Sequence, residues 1–356
     1  MASIGVGRRG PLALIAVACA LVLAACGGGG DGGDDKKAPT LVLGVAPTLS
    51  AAAGMIAVDK GYFKDLGVDV KLDTGAAPSN KALPLLAKGD YTIVSMPIDA
   101  AVFNAIDRGS LVNLLANYAQ DSEDGGSLVG VAVSKKAWDA GATTPAGLKG
   151  KNVALVAFGG FAEFNTFQAL EAGGLGADDV KFTTMSFADL VPALANGSVD
   201  AGWCSEPLCT QVVAKGIGER LPVTSNKGHG IYQLFVNADY AKKYPDTVTK
   251  ALAAWLKAAK ELNNGGWLDD DNVAIVSKYT KIDPEVIKSV PSLQGATTDL
   301  LTVTRDSLVP SFELIDQMQD YFRSTDKLTY DKNLDLSKGF DDSFIDNALK
   351  LVDSKS

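Results

Sequence analysis

Short apolar segments alternate with helical segments along this chain, and the alternation constrains the fold more than any other feature. Residues 41–46 are apolar and end at Pro47, and residues 50–60 have a helical pattern that stops at Gly61. Further strand-like segments follow at 68–72, 91–95 and 111–117, with helical segments between them at 81–88 and 98–108. Repeated β-α-β units with short links predict a parallel sheet with helices on both faces.

A second series of the same kind begins near residue 128. Its strand-like segments lie at 128–134, 151–157, 180–185 and 199–204, and its helical segments at 162–172 and 188–196. A strand-like segment at 231–236 and helical segments at 247–263 and 306–323 follow. The chain from Pro39 onward is longer than one hydrophobic core usually supports. We therefore predict an α/β fold with two lobes, each a mostly parallel sheet flanked by helices.

The N-terminus has the pattern of a secretory signal peptide over residues 1–25. Arg8 and Arg9 precede an apolar stretch at 11–25, and Leu23-Ala24-Ala25 stands before Cys26. The pattern resembles the bacterial lipobox, which implies that Cys26 is lipidated and anchors the mature chain to the outer face of the cytoplasmic membrane. A spanning anchor is the other interpretation, but the stretch is shorter than the roughly 20 residues that it needs. Residues 26–38, rich in glycine and aspartate, are predicted to form a flexible tether.

Charge and the scarcity of histidine argue against several classes of function. The chain has 33 Lys and Arg against 42 Asp and Glu, a net charge of −9, and loss of residues 1–25 removes two arginines and makes it more negative. Nucleic acid is therefore not expected as a partner. His229 is the single histidine, and there is no Cys/His cluster. We expect no metal, no cofactor and no enzymatic activity, because the usual parts of a metal site or a Ser-His or Cys-His catalyst are missing.

Two cysteines belong to the part of the chain that is predicted to fold. Cys204 and Cys209 flank Pro207 at a predicted helix start. A disulfide between them is one interpretation, since an exported protein meets an oxidising environment. We favour two small buried thiols, because the bridge needs a demanding geometry there.

Four stretches carry a resemblance to a known family. They are residues 57–70, residues 148–154, residues 193–201 followed by Ser205-Glu206-Pro207, and residues 312–328. In this order they resemble the periplasmic solute-binding proteins of the nitrate, sulfonate and taurine ABC importers, including the relatives that bind thiamine-pyrimidine precursors. The resemblance extends from Leu41 to about Leu349.

The resemblance implies a type II periplasmic-binding-protein fold whose two lobes close on one small molecule. The first lobe is expected over residues 39–127 and 237–356, and hinge strands and the second lobe over 128–236, with the hinges near 128–133 and 231–236. The family also implies an ABC permease and its ATPase as partners, a monomeric chain, and no covalent chemistry. Closure depends on solute contacts that both lobes make only in the shut state.

The candidate solute contacts lie in loops at strand ends, where ligands bind on sheets of this kind. In the first lobe they are Thr48, Leu49, Ser50, Ala77, Ser79, Asn80, Pro97, Ile98, Asp99, Asn117 and Tyr118. In the second lobe they are Phe158, Gly159, Gly160, Phe161, Glu163, Trp203, Cys204, Ser205 and Glu206. No Lys or Arg stands in these loops, so an anionic solute such as a sulfonate would be held by helix N-termini.

Several alternatives stay open at this stage. Ser50, Ser79, Ser205 and Asp99 are also suited to helix caps, and the aromatic residues are also suited to a core. A Glu206 side chain that faces the cleft would repel an anion and favour a pyrimidine, a flavin or an amine. Beyond the importer, the same fold serves an enzyme that makes the thiamin pyrimidine, and it would also suit a ligand-sensing module of a membrane receptor or a surface lipoprotein with a vestigial cleft.

Overall fold

The fold was obtained as a computed structural model that describes residues 38–76, 79–122, 126–221, 230–295 and 298–354. Residues 38–356 form one compact unit. The predicted signal peptide, Cys26, nearly all of the tether, Ala77 and His229 lie outside the described residues. Within the described ranges, each helix is too short or too polar to cross a membrane.

The described strands form two five-stranded sheets. The first contains β1 (Leu41–Gly44), β2 (Val70–Asp73), β3 (Ile93–Pro97), β4 (Val112–Gln120) and β10 (Gly230–Asn237). The second contains β5 (Val129–Ser134), β6 (Asn152–Leu155), β7 (Lys181–Thr184), β8 (Ala201–Ser205) and β9 (Gly218–Leu221). The predicted two-lobe α/β fold is confirmed, and the lobes are called first and second after their sheets.

The two sheets have equivalent topologies. Their strand orders are β2-β1-β3-β10-β4 and β7-β6-β8-β5-β9. In each sheet one strand, β10 or β5, is antiparallel to both neighbours. Each reversed strand comes directly after the chain has passed from one sheet to the other. Because the reversed strand is antiparallel, it begins at the edge where the parallel strands of its sheet have their carboxyl ends. The chain therefore crosses between the sheets at these two edges, which face each other.

The helices cover both sheets. Those of the first half of the chain are α1 (Ala52–Asp59), α2 (Tyr62–Asp65), α3 (Ser79–Lys88), α4 (Ala100–Asp107), α5 (Lys135–Asp139), α6 (Phe161–Ala172), α7 (Phe187–Asn196) and α8 (Leu208–Ala214). The rest are α9 (Ala238–Lys243), α10 (Pro245–Asn263), α11 (Asp270–Thr280), α12 (Pro284–Lys288), α13 (Arg305–Leu308), α14 (Phe312–Ser324) and α15 (Ser343–Asp353). The largest core cluster includes the first sheet, α1 and α10, and smaller clusters cover the second sheet.

One sequence expectation differs from this arrangement, and another is not tested by it. The single helix predicted over 306–323 is wrong, because it is divided into α13 and α14. Pro310 lies at the break and has no N–H to continue a helix, and the Ser311 side chain caps α14 by accepting from the amide of Leu314. The segment 231–236, expected as a hinge strand, belongs to β10 and lies inside the first sheet between β3 and β4. The position of the hinge stays a prediction.

Candidate ligand-binding cleft

A cavity lies between the facing edges of the two sheets. It has a volume of ≈ 680 Å³, which includes space open to solvent. Ten of the predicted contact residues line it: Thr48, Ser50, Ser79, Pro97, Asp99, Tyr118, Gly160, Phe161, Trp203 and Ser205. Nine further lining residues were not predicted: Ala46, Ala76, Ser95, Met96, Val156, Ala157, Ala162, Phe187 and Tyr232.

The missed residues have two kinds of location. Ser95, Met96 and Tyr232 lie within β3 and β10, whereas the predicted contacts were placed at the ends of strands and in the loops after them. Phe187 is the first residue of α7, directly after the capping residue Ser186. It stands at the end of a strand like the residues that were predicted, so the same rule could have found it.

Hydroxyl groups form the polar part of the first lobe's wall. The hydroxyls of Thr48 and Ser50 lie 2.9 Å apart, and the Ser79 hydroxyl donates to the carbonyl of Pro97 at 3.5 Å. Ser95 is 1% exposed, and its hydroxyl makes no hydrogen bond of normal geometry among the described residues. A buried hydroxyl of this kind on a cavity wall is suited to a polar group of a bound solute.

Asp99 adds a carboxylate to the same wall. One of its oxygens accepts from the amide of Val102 at 3.0 Å, so Asp99 is the N-cap of α4 and a lining residue at once. Burial raises the pKa of Asp99 to about 6, although hydrogen bonds from the amides of Val102 and Ala101 act in the opposite direction. Burial also raises the pKa of Tyr118 and of Tyr232, so both phenols stay protonated.

Aromatic rings form a continuous cluster on the cavity wall. Trp203 lies between Phe161 and Phe187, with ring centroids 6.0 and 5.9 Å away. Tyr232 joins Phe161 to Tyr118, with centroids 5.7 Å apart in both pairs. These distances fall in the range of favourable ring contacts. The cluster therefore gives the cavity a rigid apolar surface.

The N-terminus of α6 points to the cavity. Its N-cap is Gly160, which has no side chain to accept from the first amides, and Phe161 and Ala162 also line the cavity. Gly159 has a φ of 69°, in the left-handed region that favours glycine. Its amide donates to the Glu163 carboxylate at 2.5 Å, which fixes the turn before α6. First-turn amides without an internal partner can bind an anion.

The lobes contact each other around the cavity. The amide of Leu49 in the first lobe donates to the carbonyl of Glu206 in the second at 3.1 Å, and the amide of Ala100 donates to the carbonyl of Gly159 at 2.9 Å. The Tyr321 hydroxyl of α14 donates to the Glu163 carboxylate of α6 at 3.3 Å. The cleft is therefore closed at these points.

The side chain of Glu206 does not line the cavity. It is fully buried and forms an ion pair with Arg220 on β9, and its second oxygen accepts from the amide of Thr210 at 3.1 Å. Arg220 also donates to the carbonyls of Ser127 and Val129, at 3.2 and 2.5 Å. Arg220 was not predicted to matter, because nothing local in the sequence indicates its partner 14 residues away.

The other predicted contacts lie outside the cavity lining. Leu49 and Ile98 are buried in the core, Asn80 is exposed, and Asn117 is buried with its amide donating to the carbonyl of Ser307. Phe158 is 52% exposed, with the Lys327 ammonium 5.5 Å from its ring. Gly159 and Glu163 support the turn before α6 without lining the cavity.

Cys204 and Cys209 form a disulfide, so the favoured expectation of two free thiols is wrong. The chain turns back between the end of β8 and the first turn of α8, which brings the two Cα atoms to 5.4 Å. That separation lies within the usual range for a bridge. The bridge closes the loop that supplies Ser205 to the cavity.

Comparisons with known proteins agree with this architecture. The alkanesulfonate-binding protein from Xanthomonas axonopodis pv. citri, solved bound to MOPS, is 18% identical, covers 85% of this chain and 98% of its own, and has a TM-score of 0.66. The periplasmic aliphatic sulphonate binding protein from Escherichia coli is 19% identical, with 85% and 97% covered and a TM-score of 0.67. The periplasmic nitrate-binding protein from Synechocystis PCC 6803 is 16% identical, with 89% of each chain covered and a TM-score of 0.69. At these identities the likeness establishes the fold.

A sequence search of curated proteins gave no match. The family model described as NMT1/THI5 like matches residues 50–264, which is more than half of the chain. The resemblance noted in the sequence to solute-binding proteins of this kind is thereby confirmed. The chain belongs to the NMT1/THI5-like family.

Proposed function

We propose that this chain is the extracytoplasmic solute-binding protein of an ABC importer and that it captures a small organic anion, such as a sulfonate, between its lobes. The observation that carries the proposal is the cavity between the carboxyl edges of the two sheets, lined from both lobes. A solute that touches both walls stabilises the closed arrangement, and a permease can recognise that arrangement.

The chemistry of the walls supports an anion with an apolar part. The N-terminus of α6 offers amides to an acidic head group, and hydroxyls of Thr48, Ser50 and Ser205 lie on the same cavity. The Glu206 carboxylate is engaged with Arg220, so it does not oppose a negative head group. The rings around Trp203 provide the apolar surface for the rest of the solute.

A planar N–H donor such as a pyrimidine is the second candidate solute. The aromatic cluster is suited to stacking with a flat ring, and Asp99 is an acceptor on the cavity wall. This candidate would be held by hydrogen bonds to Asp99 and would leave the α6 amides without a charged partner.

A thermal-shift screen followed by calorimetry tests the proposal. Residues 38–356, the compact unit, would be screened against alkanesulfonates, nitrate, aromatic carboxylates, pyrimidines and flavins. A solute at 100 times its Kd adds about 2.7 kcal/mol to the free energy of unfolding and raises Tm measurably. A shift with a sulfonate or carboxylate supports the anion, a shift with a pyrimidine alone supports the second candidate, and no shift with any of them contradicts both.

We further propose that Cys26 carries the lipid that holds the protein at the outer face of the cytoplasmic membrane, next to its permease and ATPase. The support is the lipobox pattern at residues 23–26. In membrane fractionation of the full chain, Cys26→Ala should release the protein, whereas Cys19→Ala, within the apolar stretch, should leave it on the membrane. Retention of Cys26→Ala on the membrane contradicts the lipid anchor.

A further inference from the structure

A buried carboxylate follows the cavity-lining residues at the start of α6. Glu163 is 5% exposed and belongs to the first turn of this helix, and the residues directly before it, Gly160, Phe161 and Ala162, line the cavity. None of the ion pairs among the described residues includes Glu163. A buried carboxylate without a cation depends on hydrogen-bond donors, so the donors that reach Glu163 indicate its role.

The Glu163 carboxylate accepts hydrogen bonds from both lobes. Its Oε2 accepts from the amide of Gly159, in the turn before α6, at 2.5 Å. Its Oε1 accepts from the hydroxyl of Tyr321 on α14 at 3.3 Å. Burial and the nearby Glu163 carboxylate raise the pKa of Tyr321, so the hydroxyl remains a donor. One carboxylate therefore joins the turn in the second lobe to a helix that packs on the first.

Aromatic rings hold α14 between the lobes. The Tyr321 ring lies 5.5 Å from Phe164 and 4.6 Å from Phe167, both on α6. The next residue of α14, Phe322, contacts Phe103 on α4 of the first lobe, with ring centroids 6.3 Å apart. The Tyr321 hydroxyl can reach Glu163 only while α14 and α6 are in contact, that is, while the cleft is closed at this point.

The turn that Glu163 supports presents the amides of α6 to the cavity. Gly159 has a φ of 69°, and its carbonyl accepts from the amide of Ala100 in the first lobe at 2.9 Å. A flexible side chain keeps one orientation when both of its carboxylate oxygens are bound, and it regains rotational freedom when one donor leaves. Loss of the Tyr321 donor on opening should therefore loosen the hold of Glu163 on Gly159.

We propose that Glu163 is a positioning residue that couples closure of the lobes to the geometry of the turn before α6, acting through Gly159 and without touching the solute. The effect on solute affinity rests on the proposed function, whereas the coupling itself depends only on contacts within the chain. The role differs from the direct solute contact that the sequence predicted for Glu163.

Hydrogen exchange at the Gly159 amide, measured by NMR, tests the coupling. The compact unit, residues 38–356, would be measured with and without butane-1-sulfonate. Glu163→Gln keeps an acceptor but removes the charge, and it should speed exchange at Gly159 about 10-fold. Tyr321→Phe removes only the hydroxyl on the other side of the cleft and should speed exchange at Gly159 about 3-fold.

Two matched control variants accompany these substitutions. Tyr330→Phe removes a hydroxyl that donates to Gln319 on α14, and Glu171→Gln removes an exposed charge near the C-terminal end of α6. Both should leave exchange at Gly159 unchanged. General loosening of α6 would also speed exchange late in the helix, so the Leu170 amide should keep its rate in all four variants.

Calorimetry with butane-1-sulfonate extends the test to solute affinity. Glu163→Gln and Tyr321→Phe should each weaken binding up to about 10-fold. The double variant should bind no more weakly than Glu163→Gln alone, because both substitutions interrupt the same pair of hydrogen bonds.

The outcomes separate this inference from the proposed function. Unchanged exchange at Gly159 in Tyr321→Phe, both with and without butane-1-sulfonate, overturns the role of Glu163, and so do equal increases in the control variants or additive losses of affinity. Faster exchange at Gly159 in Tyr321→Phe and Glu163→Gln, with both controls and the Leu170 amide unchanged, supports it. If neither butane-1-sulfonate nor any other solute of the screen binds, the proposed function is contradicted, and the exchange rates alone decide the role of Glu163.

Discussion

Arg220→Met should destabilise the second lobe strongly, because Arg220 is the cation that compensates a buried carboxylate. Glu206 is fully buried and the Arg220 side chain is 28% exposed. Without Arg220, the Glu206 carboxylate retains one donor among the described residues, the amide of Thr210, and the carbonyls of Ser127 and Val129 each lose a donor. Removal of one partner of a buried pair costs about 3–5 kcal/mol, and the partial exposure of Arg220 places this case near about 3 kcal/mol.

A double-mutant cycle measures the interaction itself. Glu206→Gln with Arg220→Met removes both charges and keeps an acceptor for the amide of Thr210. The double variant should therefore be destabilised by less than the sum of the two single variants, with a coupling energy of about 1–2 kcal/mol. Lys135→Met is the matched control, because its ion pair with Asp139 on the same lobe is more than half exposed and should contribute less than about 1 kcal/mol.

Urea unfolding of residues 38–356, followed by tryptophan fluorescence and circular dichroism, provides the free energies. A destabilisation by Arg220→Met no larger than that of Lys135→Met would refute the reasoning, and so would additive costs in the cycle. Solute affinity should fall in the same variant, since the loop that contains Glu206 supplies Ser205 to the cavity and a carbonyl to the first lobe.

Three further predictions concern the cavity and its closure. Trp203→Ala should weaken solute binding at least about 10-fold in calorimetry and destabilise the core by about 3 kcal/mol. Asn80→Ala is the control, because Asn80 is exposed and outside the cavity lining, and it should change neither quantity; equal solute affinities of the two variants would contradict the place of Trp203 in the lining. Gly159→Val should lower Tm, because its φ of 69° is strained for a β-branched residue. Gly160→Ser should be nearly neutral, because its φ of −97° accepts any residue and Ser suits the N-cap of α6; similar Tm values for the two variants would refute this. Tyr321→Phe removes the hydroxyl contact between α14 and α6 and should weaken solute affinity up to about 10-fold with α14 intact; unchanged affinity would show that the contact does not favour closure.

The order of strands and helices could be predicted because it depends on local periodicity. The predicted strands at 41–46 and 91–95 coincide with β1 and β3 to within a few residues, and the predicted helix at 162–172 coincides with α6. The same pattern predicted which edge of each sheet carries the cavity, because the carboxyl ends of parallel strands lie at one edge. For this reason loop residues such as Ser205 and Asp99 were identified as candidates.

The partners of these residues could not be predicted, because they depend on contacts between distant elements. The pairing of Glu206 with Arg220 requires β9 to lie beside β5, where Ala132 is opposite Arg220. The direction of the Tyr232 side chain depends on the register of β10 between β3 and β4. A shift of one residue in such a register turns every side chain to the other face.

The sequence by itself determined the class of fold, the two lobes and the region in which the cleft lies, because strand and helix periodicity and the direction of parallel strands are local properties. Only the tertiary structure decided which carboxylate faces the cavity. Glu206 is turned away by Arg220, and Asp99 remains on the wall as the cap of α4. The charge of a binding site depends on which ion pairs form across the fold, and these depend on distances that no local pattern contains.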